Sequence, residues 1–452
     1  MIDEILTLIE NKDFFRLRST LSEMNAPDIA LIFDEIPEES ILRIFRLLPK
    51  ELAADTFVEM EPDTQEHLIS MFSDRELRDV LDEMYVDDTV DIIEEMPANM
   101  VKRILKQSDP EIRSHINKIL NYPKDSAGSI MTIEYVDLKA DMTVAQAFNR
   151  IRATGVDKET IYTCYVTDSN RHLIGITTVK ELLLCDPEVT IGDMMETNVI
   201  YVDTTEDKED VANLFDKYDF LAMPVVDKEI RLVGIITFDD VIDVIQEEHT
   251  EDIEKMAAML PSEKPYLKTD ILEIFKNRIP WLMLLMLSST FTGGIINSFE
   301  NTLSACVVLT AFIPMLMGTG GNSGGQSSVT IIRALSLNDV DMGDIFKILR
   351  KELGVALLCG TTLAIVNFGK MMLIDQASII ASGQVPIMVA LVVSLTLLLT
   401  VVCAKLVGCV LPIFVKRIGL DPAVMASPLV QTIMDSVSLL IYFAITTNML
   451  SF

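Results

Sequence analysis

The spacing of hydrophobic positions follows three different rules along the chain, each over its own stretch. Over residues 1–125, apolar residues recur at helical spacing in short amphipathic runs that restart at Pro37, Pro49, Pro62 and Pro97. Proline fits the first turn of a helix, so each of these marks the start of a short helix. The segment IPEESILRIFRLLPKELAADTFVEMEP contains two such runs. Stacked short helices of this kind predict an all-α, superhelical N-domain. From 126 to 245, short β-branched runs alternate with helical ones. Beyond 278 the apolar runs lengthen to the size of a bilayer.

The middle stretch is an internal repeat. HLIGITTVKELL (172–183) matches RLVGIITFDDVI (231–242), which sets Gly175 against Gly234. Upstream, YVTD (165–168) matches PVVD (224–227), and VDLKADMTVAQAF matches VDTTEDKEDVANLF. Each copy reads as an extended segment, a helix, two short strands and a helix. Order and spacing resemble a tandem pair of cystathionine-β-synthase (CBS) domains, placed at 126–190 and 191–245. That resemblance implies an α/β regulatory module, which often takes ATP or another adenine nucleotide. Residues 246–277, from QEEHTEDIEKM to ILEIFKNR, are expected to form a connecting helix between the repeat and a membrane domain at 278–452.

A spanning helix needs about 20 mostly apolar residues. Five stretches qualify: 279–299, 302–322, 354–374, 386–411 and 424–450. Arg278 precedes the first, the second connection carries Arg333, Lys347, Arg350 and Lys351, and the fourth carries Lys416 and Arg417. The first and third connections carry Glu300 and Asp375 as loop charges. The positive-inside rule then puts the front of the chain in the cytoplasm and the C-terminus outside a cell (plasma) membrane. The N-terminal MIDEILTLIENKDFF has no apolar h-region and is not expected to act as a signal peptide.

Charge separates the same two regions. From Ile271 onward there are nine acidic and ten basic residues, against 68 and 37 in the whole chain. The first 270 residues therefore hold 59 acidic and 27 basic residues, a net charge of −32. Such a surface repels polyphosphate and excludes nucleic acid as a partner; it suits multivalent cations. The six cysteines show no CxxC or metal-finger spacing, and the four histidines are scattered. No His–Asp cluster, nucleophile motif or G-x-x-x-x-G-K-[ST] loop supports an enzyme.

Polar groups inside spans are costly and therefore point to function. Asp435 lies mid-span in SPLVQTIMDSVSLLIYF, and Gln431, Thr432, Asp435 and Ser438 fall on one helix face. PMLMGTGGNSGGQSS (314–328) is glycine-dense, and unwinding is expected there. Carbonyls around Gly320 and Gly321, with Asn322 and Gln326, would then offer oxygen ligands; a small-residue packing seam is the alternative. Lys405, inside the fourth stretch, is compatible with snorkelling, with pairing to an acid such as Asp435, or with an earlier end of the span. In the front part, acidic clusters offer Asp87, Asp88 and Asp91; Asp207, Glu209 and Asp219; Asp239, Asp240 and Asp243; and Glu251 and Asp252. Mg²⁺ prefers oxygen ligands and keeps several waters, so loosely spaced carboxylates suffice for it.

Together these features resemble the MgtE family of magnesium channels and transporters over the full chain, most specifically in PMLMGTGGNSGGQSS and LDPAVMASPLVQTIMD. The resemblance implies a homodimer in the lipid bilayer with one pore on its two-fold axis, and a hydrated Mg²⁺ at Asp435. It implies acidic sensor positions at Asp87, Asp91, Asp207, Glu209, Asp219, Asp240 and around Glu251. Passive Mg²⁺ influx gated by cytoplasmic Mg²⁺ is the expected function. The alternatives are transport of Co²⁺, Mn²⁺ or Ni²⁺, or a CBS-regulated solute or anion transporter.

Overall fold

A computed structural model describes residues 2–262, 266–267, 269–337, 339–425 and 427–450. The chain forms two compact units, residues 1–245 and 246–452.

The first unit begins with ten short helices among the described residues, from Ile2–Glu10 to Pro110–Ile119. Pro37, Pro49 and Pro97 take the N-cap position and Pro62 the first helical residue. Ser73 closes a capping box with Glu76. Buried faces of these helices share one core, with Phe33, Phe45, Phe57 and Phe72 meeting ring against ring. One helix, α1 (Val86–Glu95), carries Asp87 and Asp88 in its first turn, where the helix dipole favours negative charge.

The repeat folds as its pattern predicts. Strands β1 (Asp137–Leu138), β2 (Thr163–Thr167) and β3 (Leu173–Thr178) form one sheet, in that order. Strands β4 (Val202–Asp203), β5 (Ala222–Val226) and β6 (Leu232–Thr237) form the other. In each, the first pair is parallel and the second antiparallel. Gly175 pairs with Val166 and Gly234 with Val225, so the two glycines found by matching the copies occupy equivalent register positions. A side chain at Gly234 would run into backbone, and one at Gly175 would force the Met195 side chain to move. A Cβ on Gly234 would lie 2.7 Å from the Thr132 carbonyl, and one on Gly175 would lie 2.6 Å from Met195 Sδ.

After β6 the chain enters α2 (Phe238–Met256) without a loop. The connecting helix therefore starts earlier and stops earlier than the expected 246–277. It ends because Ala258 takes a left-handed backbone (φ 56°), Met259 N donates to the Glu254 carbonyl, and Pro261 follows. Residues 263–265 and 268 of the expected helix lie outside the described residues.

The second unit is built on α3 (Ile271–Ser298), α4 (Ile313–Ser336), α5 (Ile345–Lys370), α6 (Pro386–Arg417) and α7 (Ser427–Met449). A π turn at Met371–Asp375 extends α5 into Gln376–Ala381. Among the described residues four helical stretches are long and apolar enough to cross a membrane: Ile271–Ser298, Met342–Ala381, Pro386–Arg417 and Pro428–Met449. The second expected span, 302–322, is displaced. Residues Glu300–Ala305 form a short α-helix and Val307–Phe312 a short 3-10 helix, and α4 starts only where Pro314 fits its first turn. At 24 residues α4 has the length of a span but not the apolarity.

The expected unwinding of the glycine segment does not occur, since Gly318 to Gly325 are helical throughout. Protein, rather than lipid, covers most of α4, and the glycines let α6 and α7 approach closely. A Cβ on Gly324 would meet Val430 at 2.7 Å, and one on Gly408 of α6 would run into the Gly324 carbonyl. Tight packing repays the helix-weakening tendency of glycine, as in small-residue seams of membrane helices.

Candidate ion path and acidic cluster

Asp435 sits on α7, half-buried, and makes no hydrogen bond or ion pair among the described residues. A carboxyl group left unpaired in a spanning helix must meet water, a cation or a proton. One turn before it, Gln431 is exposed at the surface of the unit, with its stem against Gly321. Thr432 donates to the Pro428 carbonyl at 2.9 Å. One turn after it, Ser438 is fully buried against Gly320 and donates to the Met434 carbonyl at 2.5 Å. The polar stripe of α7 is thus half packing seam and half open surface. Because α4 stays helical, the carbonyls of Gly320 and Gly321 belong to the helix rather than to an exposed loop.

Asn322 and Gln326 are exposed on α4 and line a cleft of about 810 Å³ with Glu352 of α5 and Lys405 of α6. Lys405 is 5% exposed, so it does not snorkel, and α6 continues through it to Arg417. It does not pair with Asp435; its Nζ donates to Ser327 Oγ at 3.4 Å.

In the first unit the fold collects part of the acidic set. Asp87 and Asp88 of α1 meet Asp239 and Asp240 of α2, with Asp243 beside Asp240. Glu159 and Glu134 complete the group, and neither was singled out from the sequence. Burial, then the Asp240 carboxylate, pushes Asp88 up to about 7. Burial, then Asp239, pushes Glu159 up to about 8. Burial raises Asp240 to about 6 against a 2.8 Å hydrogen bond donated by the Thr237 hydroxyl. Asp87, 7% exposed, is driven well above the carboxylate range by burial and then by Asp240 and Asp88. Asp87 Oδ1 and Glu159 Oε2 are buried without a hydrogen-bond partner. Buried acceptors left unpaired are costly, and a cation with its waters would satisfy both. Among the described residues no three such side chains converge closely enough to chelate a bare ion. The arrangement fits a hydrated cation.

Other expected ligands stay apart. Asp207 caps the helix Lys208–Tyr218, accepting from Glu209 N at 2.9 Å, while Asp219 ends the same helix in a left-handed conformation. Eleven helical residues separate these ends by roughly 16 Å. All three side chains are exposed. Asp91 is also exposed, on α1.

The end of α2 forms a third acidic group within the second unit. Lys255 bridges Glu251 and Asp421, the latter at 2.6 Å. Burial acts to lower its pKa, but the hydrogen bonds to Asp421 and Glu251 outweigh it and leave the ammonium raised. Asp252 is raised by burial and then by Asp421. Met256 packs on Ile332 of α4 and on Ala423, and His249 lies 3.5 Å from the Arg333 guanidinium. The tail of α2 therefore touches both α4 and the turn leading into α7. In the sequence Asp421 is only one of the nine acidic residues beyond Ile271; its place directly before the span that holds Asp435 was the available signal.

A helical bundle with four apolar spans, an unpaired intramembrane carboxylate and a separate acidic unit containing an α/β repeat defines a multi-pass membrane protein for cations. Family models agree part by part: an MgtE intracellular N domain at residues 24–125, CBS domains at 127–187 and 191–247, and a divalent cation transporter (MgtE) at 313–445. The magnesium transporter MgtE of Thermus thermophilus is 36% identical over 446 residues, covering 98% of this chain and 97% of that one. MgtE of Bacillus subtilis is 33% identical over 447 residues, covering 99% and 97%. Among solved structures, the cytosolic domain of the Mg²⁺ channel MgtE in complex with ATP matches 54% of this chain and all of its own, at 34% identity and a TM-score of 0.52. The chain belongs to the MgtE family.

Proposed function

We propose that this chain carries Mg²⁺ passively into the cell and that cytoplasmic Mg²⁺ closes it. The observation that carries the transport reading is the unpaired Asp435 carboxylate in the middle of α7, together with the two full-length magnesium-transporter relatives. A membrane potential supplies about 2.3 kcal/mol per charge per 100 mV, hence roughly 4.6 for a divalent ion, so influx needs no fuel. The exposed polar side chains Asn322, Gln326 and Gln431 on membrane helices call for a wet neighbour, which supports a homodimer with its pore between copies. With α4 crossing as a fifth helix packed against α6 and α7, basic residues at alternate connections support cytoplasmic N-terminal domains and an outside C-terminus. The test is growth. Expression should restore a Mg²⁺-uptake-deficient strain at low Mg²⁺, and failure at normal expression would overturn the reading.

Closure follows from electrostatics. Without Mg²⁺ the acidic groups around Asp87 and Asp240 repel one another; bound hydrated ions favour the compact arrangement. An ion shifts such an equilibrium only by its difference in affinity for the two states, and several weak sites acting together give a steep response. Movement reaches the membrane helices through the tail of α2. Lys255→Met removes the bridge between Glu251 and Asp421 and leaves both acids, with Asp252, unneutralised. It is expected to shift the Mg²⁺ concentration that half-inhibits flux by about threefold or more, as read in proteoliposomes. An unchanged value would remove this bridge from the gating path.

Adenine nucleotide is the second ligand we infer. A cleft of about 190 Å³ sets the basic side chains His115, Lys118 and Arg171 beside Tyr135, over an apolar floor of Met131, Ile133 and Val233. In an acidic unit such a cluster suits phosphates, and the floor suits part of a base. Arg171→Ala should weaken ATP binding about tenfold in calorimetry of the full chain; equal affinity would place the nucleotide elsewhere.

A further inference from the structure

The transport reading leaves one buried charge without a role. Lys405 sits mid-span, its only polar contact among the described residues is Ser327 Oγ at 3.4 Å, and it lines the cleft between α4, α5 and α6. Burying an ammonium without a full partner is costly, so a packing role explains it poorly. Across the same hydroxyl stands Glu352. Ser327 Oγ donates to Glu352 Oε2 at 2.7 Å, and this is the only hydrogen bond to that carboxylate among the described residues. The two opposite charges meet through a serine rather than directly, since no ion pair within 4.0 Å joins them.

We propose that this cleft is a second station for a hydrated divalent cation, with Glu352 as its anionic ligand and Lys405 as a tethered cation that keeps the ion from being held tightly. The proposal rests on the transport reading and deepens it. The donor set fits. Asn322 and Gln326 line the cleft and carry amide oxygens, and the Thr330 hydroxyl, which donates to the Gln326 main-chain carbonyl at 2.8 Å, keeps its own lone pairs. These are hard oxygen ligands around one carboxylate, the set Mg²⁺ accepts while retaining its waters. The volume fits as well. Six waters at roughly 30 Å³ each occupy far less than the cleft's about 810 Å³.

Lys405 gives this station its particular property. A conducting site must attract the ion yet release it. A lone carboxylate at the wall of this cleft would hold a divalent ion, and a buried ammonium a few ångströms away offsets part of that attraction. A cation entering the cleft competes with Lys405 for the field of Glu352 and leaves when the ammonium regains it.

The full chain reconstituted in liposomes tests this through the Mg²⁺ concentration dependence of flux. Lys405→Gln should lower the half-saturating Mg²⁺ about tenfold and reduce the maximal rate, because the ion now leaves slowly. Lys405→Arg, which keeps the charge, should return half-saturation toward the wild-type value. Glu352→Gln should raise half-saturation about fivefold or more. If Lys405→Gln and Glu352→Gln both match wild type while Asp435→Ala abolishes flux, the second station is wrong and the transport reading stands. If wild type carries no Mg²⁺, the transport reading itself fails. Should Lys405→Gln not yield monodisperse protein, Glu352→Gln alone decides the matter.

Discussion

Asp435→Asn is expected to abolish Mg²⁺ flux in proteoliposomes while leaving a monodisperse protein. The substitution keeps size and shape and removes only charge. Asp435 has no partner among the described residues to lose, so folding should tolerate the change. The transport loss follows from Coulomb's law. At an effective dielectric near 20, a carboxylate attracts a unit charge at 4 Å by about 4 kcal/mol, and a divalent ion by more, even when waters stand between. Losing about 3 kcal/mol already lowers ion occupancy roughly a hundredfold. Asp435→Glu keeps the charge on a longer stem and should retain partial flux. Normal flux through Asp435→Asn would show that the ion crosses elsewhere.

The second large effect is expected at the half-buried acidic cluster around Asp87. Asp87→Asn combined with Asp240→Asn removes two charges that repel each other and, by the proposed gating, the anchor for the closing ion. The compact arrangement should then form without Mg²⁺, and flux should lose its inhibition by internal Mg²⁺, with the half-inhibiting concentration moved by about tenfold or more. Inhibition identical to wild type would refute this gating account.

Proton binding supplies an independent check of the same cluster. Asp88 at about 7, Glu159 at about 8 and Asp240 at about 6 all lie above the carboxylate range. In the folded unit these groups hold protons that an unfolded chain releases above about pH 4. Their stabilising contribution is therefore full below pH 4 and lost as pH rises through about 6 to 8. Without Mg²⁺, amide protection factors over α1 and around Glu159, corrected for the intrinsic pH dependence of exchange, should fall as pH rises toward 8, and Mg²⁺ should restore them at pH 8. Protection factors independent of pH would mean that the carboxylates are solvated.

Some of this was legible in the residue order, and the reasons are local. The repeat could be read because each copy carries its own strand and helix periods, and matching the copies set Gly175 against Gly234, which the sheets pair equivalently. Asp435 stood out because one charge among about 20 apolar residues needs no tertiary information to look anomalous. Helix starts at prolines were readable for the same local reason.

What the chain alone could not decide were outcomes of packing between distant segments. Local propensity favours unwinding over Gly318–Gly325, yet the segment is helical because α6 and α7 lie close enough to fill the space that missing side chains leave. Equal-looking acidic runs have unequal fates. Asp87 and Asp240 are 153 residues apart and come within electrostatic reach of each other, Asp87 buried and Asp240 half-buried, whereas Asp207, Glu209 and Asp219 remain exposed at the ends of one helix. Lys405 had three readings and took none of them; its neighbours Ser327 and Glu352 come from two other helices. Charge, periodicity and hydrophobic length act within a few turns of chain, so the sequence by itself determined most of the elements, four of the five expected spans and the acidic character. Which charges face each other depends on burial and contact across the fold, and only the tertiary structure decided that.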